Sequence, residues 1–341
     1  MAVVGCTGGV VEEIRVNLAG RWFPIAGLVA LAPDRAAGKE LSFCAGTVVC
    51  RELTEDSFGG VDLALFSAGG SISTRFAPIA RDSGCVVIDN SSAWRMDPEV
   101  PLIVPEVNPD DADWHKGIIA NPNCSTIQMV TALKPLHDAA RIRRVVVSTY
   151  QAVTGTGMKA VKQYKEEANG QVPEAMVYPH PIFANCLPHC DVFLDNDYTK
   201  EEMKLVHETR KIMGVSNMPV TATAVRVPVL GGHSESVNIE LGADTNIAEI
   251  RTILAHAPGV KLYDDPKANQ YPMPILAEGR DAVWVGRIRK DESRDRCWNL
   301  FIVADNLRKG AATNAVQIAE YLVEKGIINA EKQGFLAFSA Q

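Results

Sequence analysis

Short apolar runs alternate with helical patterns over residues 1–124. Continuous Val, Ile and Leu runs between helices are typical of strands in a parallel sheet whose two faces are both covered. Right-handed crossovers between such strands predict a Rossmann-like, doubly wound α/β fold. The predicted strands are MAVVG (1–5), LVALA (28–32), VDLALFSA (61–68), GCVVIDN (84–90), LIVPEV (102–107) and GIIANP (117–122), with helices at 10–19 and 72–82.

The pattern changes after residue 124. Long runs that alternate apolar and polar residues predict a mixed, mostly antiparallel sheet with one covered face. We therefore expect a second, α+β domain at 125–305, while 1–124 and 306–341 form the first domain. The predicted strands are 143–153, 222–229, 234–241, 282–290 and 297–305; helices are expected from 124–126 onward, at 201–214 with Gly214 ending it, and near 306–325, and 169–199 is expected to be irregular.

Composition narrows the class of protein. The chain has 341 residues, which favours two domains, and 47% hydrophobic with 22% charged residues is the balance of a soluble globular protein. No apolar run approaches the ~18 residues that a membrane span needs. A net charge of −7 argues against nucleic-acid binding, which depends on clustered Lys and Arg. An anionic ligand would therefore need a few local cations.

Cysteine usage suggests the compartment. The eight cysteines have scattered spacings, and no secretory signal precedes the first strand. They are expected to be free thiols, which indicates a reducing compartment. The expected location is the cytoplasm, or a plastid stroma if a transit peptide has been removed.

A glycine-rich turn follows the first predicted strand. Gly5-Cys6-Thr7-Gly8-Gly9-Val10 opens the first helix, where backbone amides could contact a dinucleotide phosphate. Val11 replaces the third glycine of the usual pattern, and a plain strand-to-helix turn stays an alternative. After the second strand, Arg35 favours NADP, whereas Asp34 leaves NAD open. The small residues of FSAGG (66–70), including Ser67, would let a nucleotide pass close by.

Cys124 is the leading candidate for catalysis. It lies in ANPNCSTIQM (120–129), at or just before a predicted helix N-terminus, which favours a thiolate. Asn123 and nearby amides could stabilise an oxyanion. His233 is the candidate base and Arg226 a candidate carboxylate ligand. The alternatives are a small buried cysteine and a surface histidine, and the CLPHC run (186–190) has no matching second cluster, so no metal site is predicted.

Several motifs together resemble the aspartate-β-semialdehyde dehydrogenase family over essentially the whole chain. They include VVGCTGG, APDRAAGK, FSAGGS, IIANPNCSTIQM, STYQAVTGTG, VRVPVLGGHSESVNIE and DNLRKGAATNAVQIAE. The resemblance implies NADPH-dependent conversion of L-4-aspartyl phosphate to L-aspartate 4-semialdehyde, with release of phosphate, in lysine, methionine and threonine biosynthesis. It also implies that 1–124 and 306–341 form the NADP-binding domain and that 125–305 is the catalytic and dimerisation domain. A homodimer, or a dimer of dimers, is implied as well.

The resemblance also assigns roles by position. It implies Cys124 as thioester nucleophile, His233 as acid/base and Gln151 as the orienting residue. Substrate binding is implied for Arg226 (α-carboxylate), Glu201 (amino group), Asn123, and the phosphate pair Arg95 and Lys204. Cofactor binding is implied for Thr7, Gly8, Gly9, Val10, Arg35, Ala36, Ser67, Thr154, Gly155 and Asn306. The family often has Ala at position 6, Gly at 11 and Ser near 36, so the 2′-phosphate site departs from its pattern.

Three other functions stay open from the sequence. N-acetyl-γ-glutamyl-phosphate reductase uses similar chemistry, although NCST with QAVTGTG favours the aspartyl enzyme. A cysteine-dependent acyl hydrolase or transferase would need no nicotinamide. A catalytically inactive binding protein with the same fold is the third.

Overall fold

A computed structural model describes residues 1–6, 8–33, 36–44 and 46–328. The chain forms two compact units, one comprising Met1–Pro122 and the chain from Ala311 onward, the other Asn123–Gly310. Within the described ranges, no helix has the length and apolar character that crossing a membrane requires.

The first unit contains a six-stranded sheet in which every pairing is parallel, in the order β5-β2-β1-β6-β7-β8. A separate antiparallel hairpin is formed by β3 and β4. The strands are β1 Ala2–Val4, β2 Val29–Ala32, β3 Glu40–Phe43, β4 Gly46–Val49, β5 Arg51–Glu52, β6 Leu63–Phe66, β7 Val86–Asp89 and β8 Ile118–Ala120.

Both faces of this sheet are covered. Leu65 and Ile88 lie in an apolar cluster with residues of helices α1 (Gly9–Gly20) and α8 (Thr313–Glu324). Their strand neighbours Phe66 and Val87 point to the opposite face and are fully buried as well. Helix α2 (Gly70–Asp82) contacts β6, β7 and β8. The predicted Rossmann-like doubly wound sheet is confirmed, because its apolar runs have no solvent face.

One predicted strand of the first unit is wrong. LIVPEV (102–107) makes only an isolated bridge, between Leu102 and Ala120. Pro101 precedes the run and Pro105 lies inside it, and a proline cannot donate to a strand ladder. The side chain of Asn108 satisfies the backbone instead: it accepts from the Val104 amide at 3.0 Å and donates to the Leu102 carbonyl at 2.9 Å.

Two cysteines of the first unit form a disulfide, which corrects the expectation of free thiols. Cys6 follows β1 and Cys50 follows β4, at a sequence separation of 44 and a Cα–Cα distance of 6.4 Å. Both pack with Ala30, Ala32 and Ala36 in one small apolar cluster. Spacing along the chain could not predict this pairing, since the fold alone brings the two segments together. The expectation of a reducing compartment rested on free thiols, so the disulfide removes its support.

The second unit contains a mixed six-stranded sheet in the order β10-β9-β11-β14-β13-β12. Its outer pairs, β9 with β10 and β12 with β13, are parallel, and the three central pairings are antiparallel. The predicted mixed, mostly antiparallel sheet is confirmed. The strands are β9 Ile142–Gln151, β10 Val220–Arg226, β11 His233–Leu241, β12 Val260–Leu262, β13 Val283–Lys290 and β14 Cys297–Ala304.

Helix α3 (Cys124–Ala140) lies on this sheet and contacts β9, β11, β13 and β14. The covered face is apolar along most of its length and includes Val147 and Ile239. The remaining helices are α4 Met158–Ala168, α5 Lys200–Ile212, α6 Ile247–Ala255 and α7 Pro274–Ala277. Helix α5 is followed by Gly214 in the left-handed region (φ 68°), as the sequence predicts. A π-helical turn, Arg308–Ala312, precedes α8.

Candidate functional site

Cys124 is the first residue of α3, and its side chain is partly exposed. Asn123 caps the helix: its Oδ1 accepts from the amides of Ser125 (3.0 Å) and Thr126 (3.3 Å). The positive end of the helix dipole therefore lies at the sulfur, where it stabilises negative charge. A side chain at Gly310 would bring its Cβ within 2.8 Å of the Cys124 Cβ, so glycine is required beside Cys124.

Two carboxylates of α5 hold the start of α3. Glu208 accepts from the Asn123 backbone amide at 2.6 Å, and Glu201 accepts from the Asn123 side chain at 2.9 Å. Glu201 also accepts from the Gln151 amide at 2.9 Å, and that amide donates to the Ser125 hydroxyl at 2.7 Å. The residues on both sides of Cys124 are thus connected to the end of β9.

Glu201 is an ion-paired buried acid. Burial by itself would raise its pKa, but the Lys204 ammonium, at 2.9 Å, and the Gln151 and Asn123 amides hold the pKa at about 2. Burial would lower the pKa of Lys204, whereas Glu201 and Asp191, the latter at 2.7 Å, raise it. The pair therefore places one fixed negative and one fixed positive charge beside the start of α3.

His233 is the first residue of β11 and is 1% exposed, so it is not a surface histidine. The Ala152 amide donates to its Nδ1 at 3.0 Å. A neutral imidazole that accepts at Nδ1 carries its hydrogen on Nε2. Burial, with Arg226 nearby, lowers the pKa of His233 to about 3. The ring is therefore neutral near pH 7 and presents an N–H donor at Nε2.

Arg226, at the end of β10, is 6% exposed. Its Nη1 donates to the Ala152 carbonyl at 2.6 Å, and its guanidinium lies 5.9 Å from the Tyr178 ring centroid. Its Nε has no hydrogen-bond partner among the described residues. Because its Nε makes no hydrogen bond to a described residue, this buried guanidinium is suited to bind a carboxylate group through that edge. Ala152 thus connects Arg226 and His233 through its two backbone groups.

Thr154, Gly155 and Asn306 lie around this histidine. A Cβ at Gly155 would come within 2.9 Å of His233 Cε1, 3.0 Å of its Nε2 and 3.1 Å of Arg226 Nη1. Asn306 hydrogen-bonds with the Thr154 hydroxyl at 3.1 Å and accepts from the Gly232 amide at 3.0 Å. Asn306 therefore connects Thr154 with the turn before β11, and His233 and Arg226 leave room only for glycine at 155.

In the first unit, the strand order reverses between β1 and β6. Gly5 follows β1 with φ 114°, and a Cβ there would lie 2.5 Å from the carbonyl oxygen of Ser67, which follows β6. Crevices at such a reversal, at the carboxyl ends of parallel strands, bind dinucleotides. Gly5 is required because the two chain segments approach so closely.

The N-terminus of α1 is also open to an anion. Its N-cap, Gly8, is extended and has no side chain to cap the helix, Gly9 and Val10 follow in the first turn, and a Cβ at Gly8 would meet nothing within 4 Å. This geometry fits a pyrophosphate. Ala36 packs with Cys6 in the apolar cluster near the disulfide. The predicted cofactor residues Thr7 and Arg35 lie outside the described residues, as does Asp34.

Arg95 of the first unit is 7% exposed. Its Nε donates to the Asn121 carbonyl and its Nη2 to the Asn90 carbonyl, both at 2.9 Å. The Asn121 side chain donates to Asn90 at 2.6 Å and accepts from Asn314 of α8 at 2.7 Å. This network places a buried cation at the carboxyl ends of β7 and β8.

Residues of the CLPHC segment (186–190) make contacts other than metal ligation. His189 stacks on Phe193 with centroids 4.5 Å apart, and burial raises the pKa of the Cys190 thiol to about 12. Across the described ranges, no group of three or more His, Cys, Asp or Glu side chains is arranged to hold a metal ion.

Comparison with known proteins identifies the family. Residues 1–115 match the semialdehyde dehydrogenase NAD-binding domain, and residues 133–309 match the semialdehyde dehydrogenase dimerisation domain. An aspartate-semialdehyde dehydrogenase of Aquifex aeolicus is 55% identical over 96% of this chain and 99% of its own. The chain belongs to the semialdehyde dehydrogenase family. It is therefore an oxidoreductase with a dinucleotide-binding unit and a dimerisation unit.

Other members agree over nearly the full length. The aspartate-semialdehyde dehydrogenase of Bacillus subtilis is 46% identical, covering 96% of this chain and 98% of that one. A crystal structure of aspartate-semialdehyde dehydrogenase II from Vibrio cholerae, complexed with ASA, superposes with a TM-score of 0.91 at 45% identity, covering 95% of this chain and 97% of that one.

Three residues of the site were missed by the sequence reasoning. Ser125, Gln128 and Glu208 hydrogen-bond to Gln151, to the His233 backbone and to the Asn123 backbone. Glu208 follows Glu201 by seven residues, which is two helical turns, so both carboxylates lie on one face of α5. That spacing was the available signal; Ser125 and Gln128 gave none beyond their place on α3.

Proposed function

We propose that this chain catalyses the NADPH-dependent reductive dephosphorylation of L-4-aspartyl phosphate to L-aspartate 4-semialdehyde, through a thioester on Cys124. The observation that carries the proposal is the hydrogen-bond network around the start of α3. Through Asn123, Ser125, Gln151 and the Ala152 backbone, it connects a helix-terminal thiol with a neutral histidine and a buried arginine. A thiol nucleophile, a donor to an oxyanion and a carboxylate ligand are what this reaction requires.

Charge supports an amino-acid substrate. We assign Arg226 to the α-carboxylate, because its Nε has no partner among the described residues and its plane suits a bidentate contact. We assign Glu201 to the α-ammonium group, since a carboxylate with a pKa of about 2 stays charged at neutral pH. An N-acetylated substrate carries no charge at that nitrogen, so Glu201 favours the aspartyl substrate over the acetylglutamyl one.

Two cationic side chains are assigned to the phosphate group of the substrate. We propose that Lys204 and Arg95 bind the phosphate of the acyl phosphate and stabilise it as it leaves. Lys204 is held by Glu201 and Asp191, and Arg95 is buried and held by two backbone carbonyls. Both cations are therefore ordered before substrate binds, which reduces the reorganisation needed for binding.

The sulfur of Cys124 attacks the acyl carbonyl, and the helix dipole of α3 favours its anionic form. The carbonyl oxygen gains negative charge, and the Nε2–H of His233 is oriented to donate to it, because Nδ1 is engaged by Ala152. We therefore propose that His233 acts first as a hydrogen-bond donor and not as the base for the thiol. Its role in proton transfer follows when the thioester is reduced.

NADPH, when bound, supplies the hydride that reduces the thioester. The described residues that fit its pyrophosphate are Gly8, Gly9 and Val10 at the start of α1, with Ser67 at the strand-order reversal. We assign Gly155 to the cofactor as well, because it packs directly against His233, where a Cβ would come within 2.9 Å of the ring. Thr154 and Asn306 fix that segment. Ala36 completes the set that we assign to the cofactor.

The direct test is an NADP-reduction assay with aspartate semialdehyde and phosphate, from which each component is omitted in turn. We expect reduction only when all three are present, and no comparable rate with N-acetylglutamate semialdehyde. Release of phosphate from L-4-aspartyl phosphate with no nicotinamide present would point to the thiol hydrolase instead. NADPH binding without any turnover would point to the inactive binding protein.

We also propose that the chain is a homodimer formed through the sheet face of the second unit that α3 does not cover. That face carries half-buried Ser148 and Ser236, which are paired in register, and the rings of Tyr150 and Phe301, 6.3 Å apart. A cavity of about 310 Å³ adjoins it at Phe301. Ser236→Arg should give a monomer by analytical ultracentrifugation, and the unsubstituted chain will show whether dimers pair further.

A cytoplasmic location also stays a proposal. The relatives named above are bacterial, and they give no support to the plastid alternative. Fractionation of the source cells would test it.

A further inference from the structure

A second buried acid lies next to the site and has no role in the proposed chemistry. Glu235 is on β11, two residues after His233, and its side chain therefore points to the same face of the sheet. It is 0% exposed, and neither carboxyl oxygen has a well-oriented hydrogen bond with any described residue. An ionised carboxylate in this position would have lost its water without gaining a cation.

The groups around Glu235 are uncharged. Its strand neighbours are Thr149 of β9 and Ile302 of β14. From the helix above, Gln128 faces it, and burial raises the pKa of Glu235 well above its usual value while Gln128 opposes only part of that rise. The titratable group on the same strand face is His233, which is itself neutral near pH 7.

Gln128 connects this acid to both catalytic elements. It follows Cys124 by one helical turn on α3, and its Nε2 donates to the His233 carbonyl at 3.3 Å. Its Oε1 has no hydrogen-bond partner among the described residues. A protonated carboxyl group is a donor, and it would complement that acceptor. Of the two protonation states of Glu235, only the protonated one could donate to Gln128 Oε1.

We propose that Glu235 is held as an uncharged carboxylic acid that positions Gln128, and through Gln128 locks the start of helix α3 to the strand that carries His233. Glu235 is a positioning residue, since it acts through Gln128. Its effect on catalysis rests on the proposed roles of Cys124 and His233. The uncharged state of the buried acid does not rest on them.

The first experiment measures thermal unfolding of Glu235→Gln against pH. The unfolded chain loses this proton above about pH 4.3, whereas the folded chain retains it, so the native protein loses stability as pH rises above that value. Glutamine has the same shape and needs no proton. We expect the Tm of Glu235→Gln to exceed that of the native chain by a margin that widens from about pH 5 to pH 8.

The matched control is Glu240→Gln, on the same strand but on the uncovered face and paired with Arg294 at 2.7 Å. Its Tm difference should not widen with pH in this way. A Glu235→Gln variant that is less stable than the native chain across this range would show that Glu235 is a paired carboxylate, and would overturn the proposal. This outcome leaves the proposed enzymatic function untouched.

The second experiment separates positioning from bulk packing. Glu235→Gln should keep kcat within about threefold, since its amide can still donate to Gln128, whereas Glu235→Leu should lower kcat by about tenfold or more with little change in KM. Adding Gln128→Leu to Glu235→Leu should produce no further loss of kcat, because both substitutions remove one contact. The rate at which iodoacetamide alkylates Cys124 should change in Glu235→Leu and not in Glu235→Gln.

Equal kcat values in all three variants would overturn the positioning role. If Glu235→Leu does not fold, Glu235→Gln and Gln128→Leu still decide it: the first should resemble the native chain and the second should not. If the chain shows no semialdehyde dehydrogenase activity at all, the proposed function fails, while the pH-dependent Tm of Glu235→Gln still tests the uncharged acid.

Discussion

The two units differ in the kind of chemical group that they place at the ends of their sheets. In the first unit, β6 is apolar throughout and is followed by Ser67, and the candidate binding surface consists of glycines and backbone amides. In the second unit, the buried face of β11 begins with His233 and Glu235 and becomes apolar only at Val237. Around the start of α1 the first unit offers its backbone, and Arg95 is the buried cation that it adds, whereas the second unit offers side chains.

This difference has a physical reason. Backbone amides at a helix start bind an anion without burying a charged side chain, so the first unit keeps an apolar sheet. A nucleophile, an oxyanion donor and a carboxylate ligand must be side chains, and each buried polar group needs a hydrogen-bond partner. Substitutions in the second unit should therefore affect the chemical step, whereas those in the first should affect binding and stability.

The largest effect is expected at Cys124. Cys124→Ser replaces a thiol with a hydroxyl that ionises far less readily, so kcat should fall by about 10⁴-fold or more. NADPH affinity, measured by fluorescence, should stay unchanged because the cofactor residues of the first unit are intact. A variant with a near-normal rate would remove Cys124 from the mechanism.

His233→Ala comes next. We expect kcat to fall by about 10²–10⁴-fold with a modest change in KM, because one donor to the reacting oxygen is lost. A His233 whose pKa is about 3 stays neutral in the folded chain, while the unfolded chain protonates its histidine near pH 6.5. His233 therefore destabilises the fold progressively as pH falls from about 6.5 to about 3.

The direction in which His233 changes stability with pH can be measured separately. His233→Gln should lose less stability than the native chain when the pH is lowered through this range in urea unfolding experiments. A stability difference that stays constant with pH would contradict the neutral histidine. So would a kcat profile whose acid limb near pH 6.5 disappears in His233→Gln.

Removal of the disulfide tests the stability of the first unit and its binding of NADPH. Removing Cys6–Cys50, which spans 44 residues, by the double substitution to Ala should lower stability by about 2–4 kcal/mol. Because Cys6 lies in the glycine-rich turn, NADPH should also bind more weakly, while alkylation of Cys124 keeps its rate. Cys44→Ser, which changes an exposed cysteine outside the disulfide, is the control. Unchanged NADPH affinity would separate the disulfide from the cofactor turn.

The smallest effect is expected at Gly155. Gly155→Ala places a methyl group about 3 Å from His233 and Arg226, so kcat/KM should fall by about 10–100-fold through displacement of these side chains. Gly59→Ala, where a Cβ would meet nothing within 4 Å, should leave kcat/KM unchanged. Equal effects of the two substitutions would show that packing against His233 is not critical.

Much of the architecture followed from local patterns. Both sheets were predicted, because a strand covered on two faces and a strand covered on one face leave different residue periodicities. LIVPEV failed because its apolar run resembles a strand, while the side chain of one asparagine four residues beyond Val104 satisfies the backbone. The candidate residues Cys124, Gln151, Arg226 and His233 came from motifs, and their assigned roles stay predictions.

The sequence by itself determined the periodicities of the two sheets, the glycines at tight turns and the family, since each is written in neighbouring residues. Only the tertiary structure decided the Cys6–Cys50 pairing and the burial of Glu235. It also decided which nitrogen of His233 carries the hydrogen, and that Glu201 and Glu208 both accept hydrogen bonds from Asn123. These features depend on which distant groups meet away from water. Hydrogen bonding and desolvation act through space, so spacing along the chain does not encode them.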